Sequence, residues 1–163
     1  MDERETIIRE QILGILRGGH AHMPFAEAVK DFPMDDINKP FPNGSYSAWG
    51  LLEHVRITQW DILDFSRNPG YKYIKWPEDY WPGTGKTATP EDWRKTCEAF
   101  ESDMKELEAL LMDPKTDLYA KIAWGEGQTI LREMLVVADH NAYHLGELAI
   151  MRQVMNNWGP DHQ

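Results

Sequence analysis

The stretch TILREMLVVADHNAYHLGELAIMRQVMNN, residues 129–157, decides the fold class. Apolar side chains recur every three or four positions along it and no proline interrupts them, so the pattern predicts one long helix. Thr129 can cap its start, and Gly159-Pro160 lies just past its end near Asn157. A buried track through Leu131, Leu135, Ala138, Ala142, Leu145 and Ala149 is expected to face the rest of the molecule. On the same helix His140 and His144 stand four apart, which places both imidazoles on one face about one turn from each other. Two half-buried polar residues on a helix flank would account for that pair as readily as a shared cation.

Working outward, three more long helices are predicted. One spans about Tyr46 to Ser66, capped by Ser45 or Ser47 and stopped at Asn68-Pro69-Gly70. Trp49, Leu52, Val55, Gln59 and Ile62 form one of its tracks, and Leu51, His54, Thr58 and Asp61 form a more polar track beside it. Another begins at Thr89-Pro90-Glu91-Asp92, a cap followed by proline at the first helical position and acids in the first turn, and runs to about Met112. The first spans about Asp2 to Leu16 and is stopped by Gly18-Gly19. Phe25, Val29 and Phe32 support one or two further turns before Pro33. Residues 68–89 form a linker of 22 residues, long enough to travel the length of a bundle and leave the second and third long helices parallel. Residues 113–128 lack a helical pattern, and LYAKIAW within them could be a short extended piece. The fold expected is all-α, a four-helix bundle forming a single domain over residues 1–163.

Composition narrows the function classes. The chain has 163 residues, with 42% hydrophobic and 27% charged side chains, ordinary for a globular protein. No apolar run reaches the 18 or so residues needed to span a bilayer, so no membrane partner is expected. The N-terminal MDERETIIRE lacks the apolar stretch of a secretory signal, and Cys97 is the single cysteine. A disulfide framework is thereby excluded, and the cytoplasm is the compartment expected. Twenty-seven acidic against 17 basic side chains leave a net charge of −10, which opposes binding to nucleic acid.

Chemistry concentrates on the histidines: His20, His22, His54, His140, His144 and His162. His54 lies where its helix points inward, so it needs a hydrogen bond or a metal to offset desolvation. One imidazole from that helix and an i,i+4 pair from the last can together form a three-nitrogen site. Three protein ligands with an open position are the pattern of a catalytic metal.

With these segments in view, the sequence resembles the DinB-like superfamily, also called the YfiT group, of bacterial helical bundles. The matching stretches are GGHAH at 18–22, SAWGLLEHVRITQWDIL at 47–63, TILRE at 129–133 and DHNAYHLGEL at 139–148. The resemblance implies an up-down-down-up bundle, frequent homodimers and one divalent metal, with nickel and zinc the usual candidates. The family's three ligands match His54, His140 and His144. Some relatives are transferases or isomerases that use a low-molecular-weight thiol, and others are grouped as metal-dependent hydrolases. The expectation is therefore a metal-dependent enzyme, a thiol-dependent transferase or a hydrolase acting on a small-molecule substrate. The competing reading is a metal- or ligand-binding stress-response protein without turnover.

Other residues carry two readings each. Trp76, Tyr80 and Trp81, in the aromatic loop GYKYIKWPEDYWPG, either wall a pocket or pin the crossover against the core. Glu133 stands two helical turns before His140 and is either a general base or half of a surface pair with Arg132. His20 and His22 follow the first helix and could enter a pocket mouth. Cys97 reads as a small core residue, Tyr143 as packing or a dimer contact, and His162 as exposed.

Overall fold

The computed structural model describes residues 2–159, so His162 lies outside the described residues. The chain is all-helical: α1 (Glu3–Arg17), α2 (Phe25–Val29), α3 (Ala48–Arg67), α4 (Pro90–Met112) and α5 (Ile130–Val154). Two short 3-10 turns, Met34–Asp36 and Glu78–Tyr80, sit in the connections. Among the described residues no helix is long and apolar enough to cross a membrane.

Each long helix starts where a side chain can accept from an otherwise unpaired backbone N–H. Asp2 accepts from Glu5, Ser47 from Gly50 and Thr129 from Arg132. Thr89 and Asp92 form a reciprocal capping box in front of Pro90. Helix α1 stops at Gly18, whose φ of 72° suits a residue without a Cβ. Helix α5 ends at Val154, short of the expected Asn157, because Asn156 turns to a φ of 50° and the Asn157 N–H bonds back to the Arg152 carbonyl. LYAKIAW forms no strand. It contributes a lone antiparallel bridge, Lys121 to Thr129, which leads the chain into α5.

Helix directions follow from the side chains that meet. Trp49 bonds to Thr96, Gln59 to the Phe100 carbonyl and Arg67 to Glu106, so α3 and α4 run the same way. The connection between them, residues 68–89, returns along α3. Helix α5 opposes α3, since His54 meets His140 while Trp124, just ahead of α5, bonds to the Phe65 carbonyl near the end of α3. Helix α1 opposes α4: Arg9 reaches the carbonyls of Leu111, Asp113 and Thr116, whereas Arg17 pairs with Glu108. Arg9 is fully buried there and satisfies carbonyls that the end of α4 leaves without partners.

The core divides in two. One apolar cluster joins α2, Trp49 to Val55 of α3, Trp93 and Phe100 of α4 and Leu145 to Met151 of α5. The other joins α1, Ile62 to Phe65 of α3, Leu107 and Leu111 of α4 and Ile130 to Ala138 of α5. A buried polar layer lies between them, in which Asn141 donates to Gln59 at 2.8 Å and Gln59 donates to the Phe100 carbonyl at 2.8 Å. Thr58 and Asp61 of α3 and His140 and His144 of α5 fall between the two clusters in sequence, with His54 at the inner edge of the first.

The phase expected for the last helix needs correction. Leu135 is 47% exposed, and the inward face carries Ile130, Met134, Val137, Ala138, Leu145, Leu148 and Met151. Ala142 and Ala149 are only half-buried.

Candidate metal centre

Inward-facing α3 and the middle of α5 bring His54, His140 and His144 together, with one ligand-capable atom from each lying within 4.8 Å of the others. The Nε2 atoms of His54 and His140 are 3.2 Å apart. Their rings meet edge-on, with centroids 4.5–5.0 Å apart across the three pairs. His54 is buried and the other two are half-buried.

Two of the imidazoles are held from behind. The Tyr80 carbonyl lies 2.9 Å from His54 Nδ1, and because a carbonyl only accepts, that nitrogen carries the proton and Nε2 is left as a lone pair. His144 Nδ1 is 2.8 Å from Glu147 Oε2, and the other Glu147 oxygen accepts from the Tyr46 hydroxyl. Backing by a carbonyl and by a carboxylate is the usual support of a metal-bound histidine. His140 has no such support: among the described residues its buried Nδ1 has no hydrogen-bond partner. Trp81 covers the site, stacked on His54 at 4.1 Å with its ring plane tilted by only 1°.

Burial, followed by the neighbouring imidazoles, pushes His140 and His144 down to about 4, and burial lowers His54 as well. At neutral pH the cluster is therefore uncharged, the state in which imidazole binds metals. Neutral nitrogens close together, two of them oriented by second partners and one buried without any, make a donor set that fits a divalent cation. The three could hold a metal ion.

One turn along both helices from the cluster a cleft of about 260 Å³ opens, since Thr58 follows His54 by four residues and Val136 precedes His140 by four. Glu133 lines it and is 2% exposed. It pairs with Arg132 at 2.7 Å, yet only Arg132 reaches the surface, so the pair is not a surface pair. Trp76 and Tyr80 wall the same cleft, and Trp76 is also 6.4 Å from His54 between ring centroids. Trp81 instead borders a larger cavity of about 590 Å³ near Tyr46, whose lining includes none of the three histidines. Within the aromatic loop, the Tyr80 carbonyl bonds to His54 Nδ1 and the Tyr80 ring lines the cleft.

His22 sits in the turn after α1 beside Gly18, outside both the cluster and the cleft lining, and His20 lies against Gly14. Cys97 packs half-buried against the first apolar cluster, with burial pushing its thiol up to about 12. Tyr143 is 71% exposed, its ring 4.9 Å from that of His144. Two contributors escape the sequence reading. Glu147 could have been found as an acid three residues after a candidate ligand on one helix face. Tyr46 carries no such signal, because only the tertiary fold places it beside Glu147.

Fold and site together define a helical bundle with a three-histidine centre buried at mid-height. The model of the DinB superfamily matches residues 20–148, and the chain belongs to that superfamily. No curated protein and no solved structure matches it.

Proposed function

We propose that this protein is a metal-dependent enzyme whose single divalent ion, nickel or zinc, is held by His54, His140 and His144, and which acts on a small molecule as a thiol-dependent transferase or a hydrolase. The observation that carries the reading is the orientation of the imidazoles. Tyr80 and Glu147 take up Nδ1 of His54 and His144, which leaves Nε2 of each as the ligand atom. Three protein ligands leave an exchangeable position, unlike a closed structural site. A metal there would lower the pKa of a bound water or thiol and so supply a nucleophile at neutral pH. The chain's own part is to fix the ligands and to limit water through Trp81. Glu133, buried in the adjacent cleft, is the candidate to move a proton.

The test is elemental analysis of protein purified without a histidine tag. About one equivalent of divalent metal per chain is expected, and the His140→Ala/His144→Ala protein should lose most of it. Full occupancy in that variant overturns the assignment. Metal-loaded and apo protein are then compared on electrophiles with and without thiol, and on simple esters. Turnover that disappears with the metal is the supporting result.

A further inference from the structure

The cleft beside the histidines carries a buried charge for which the reading above has no use. Asp61 is 6% exposed and accepts from the Tyr71 hydroxyl at 2.8 Å and the Tyr80 hydroxyl at 2.6 Å. Two neutral phenols satisfy its oxygens without cancelling its charge, and among the described residues no lysine or arginine pairs with it. Both hydroxyls donate to Asp61, as phenols do in their ordinary neutral form. The other acid in the cleft, Glu133, is already matched by Arg132, which leaves a net charge of −1 from the three groups. A carboxylate buried with no counter-charge is costly, and a cation entering beside it removes that cost.

A second, independent feature points the same way. Thr58 is 9% exposed, lines the cleft, and its Oγ1 is buried with no hydrogen-bond partner among the described residues. A buried hydroxyl left unpaired at the wall of a cleft calls for a ligand atom or a water. Around these groups the cleft is aromatic, walled by Phe65, Tyr71, Tyr73, Trp76 and Tyr80. Tyr73 and Trp76 are 67% and 66% exposed, which puts them at its rim. Aromatic faces attract cations through their quadrupoles, most strongly where water is excluded.

We infer that this cleft binds the protonated amine of a small organic substrate, with Asp61 supplying the field, Thr58 a hydrogen-bond acceptor, and the tyrosine and tryptophan rings the walls. The inference rests on the proposed function in that it makes the amine part of the molecule presented to the metal. A neighbouring anion site is disfavoured, because the one arginine lining the cleft is already engaged by Glu133.

The experiment is isothermal titration of the full chain at pH 7.5, metal-free and zinc-loaded, with benzylamine, benzyl alcohol and benzoate. Benzylamine should bind at least ~tenfold more tightly than the alcohol in both metal states, the ratio expected from one cation–π contact plus the Asp61 field. Benzoate should bind more weakly than either. Asp61→Asn should reduce the amine-to-alcohol preference to less than ~threefold, and Thr58→Val should weaken benzylamine by ~threefold. Equal binding of amine and alcohol by the native protein overturns the inference without reference to any variant. Amine binding only when zinc is present means direct ligation, and overturns it too while leaving the metal site standing. If the native protein takes up no zinc and still prefers benzylamine, the cleft stands and the proposed function fails instead.

Discussion

Replacing Glu147 tests whether the histidines are built as ligands or merely packed together. Its carboxylate stands 2.8 Å from His144 Nδ1, accepts from Tyr46 on its other oxygen, and is 29% exposed. With alanine there, the His144 ring loses the contact that fixes its tautomer and its rotation. Removing such a partner typically weakens metal binding ~10–100-fold, or about 1.4–2.7 kcal/mol. An independent route gives a similar figure: a hydrogen bond to a charged group contributes about 1.5–3 kcal/mol, and partial exposure places this one toward the low end. Gln at 147 keeps an acceptor for Nδ1–H but loses the charge, so Glu147→Gln should cost about half as much in free energy. Competition with a chromophoric chelator at pH 7.5 measures the affinities, and circular dichroism of the metal-free proteins shows whether the fold is retained. If Glu147→Ala folds normally and binds zinc within twofold of the native protein, then the contact does not orient a ligand and the argument from imidazole orientation fails.

Two further outcomes follow from buried groups. Arg9→Met should leave the carbonyls of Leu111, Asp113 and Thr116 without their donor, costing about 3 kcal/mol and lowering Tm by roughly 6–12 °C; calorimetry showing a change under two degrees would mean water replaces the guanidinium freely. The pH dependence of the metal-free protein has a definite sign, because His140 and His144 are held down to about 4 from an ordinary value of 6.5. The unfolded chain then takes up protons that the folded one refuses, so stability is complete above pH 6.5 and falls as the pH drops from there toward 4. Urea midpoints should fall more steeply across that window in the native protein than in His140→Gln, and parallel curves would show that the imidazoles are not buried in the neutral form.

How much of this could be read from sequence depended on whether a feature was local. The caps at Ser47, Thr89 and Thr129 are local chemistry, and each lies where the residues imply. The i,i+4 spacing of His140 and His144 is local as well, and pairing them with His54 needed only the inward phase of α3. The phase of α5 was another matter. Leu131, Leu135, Val136 and Val137 place apolar groups nearly all the way round the helix, so periodicity cannot say which side is buried. The polar residues settle it: Asn141 and Arg152 point inward because Gln59 and the carbonyls of Ala28 and Lys30 wait for them, and Leu135 is turned outward as a result. Arg9 and Arg152 escape for the same reason, since a charged side chain reads as surface until the carbonyls it serves are known.

The polar layer explains why the site and the cleft come at mid-height instead of at an end. An uninterrupted apolar core would allow α3, α4 and α5 to slide against one another with little change in burial. The bond from Asn141 to Gln59 and from Gln59 to the Phe100 carbonyl is satisfied in only one register of the three helices, and an error of one turn would bury unpaired amides. That register sets His54 opposite His140 and His144. It also sets Thr58 and Asp61, four and seven residues past His54, level with Val136 and Glu133, four and seven before His140. Antiparallel helices make these steps run in the same direction from the histidines. The cleft is therefore the histidine site continued by one to two turns, and a molecule anchored at Asp61 would extend along the bundle axis toward the imidazoles.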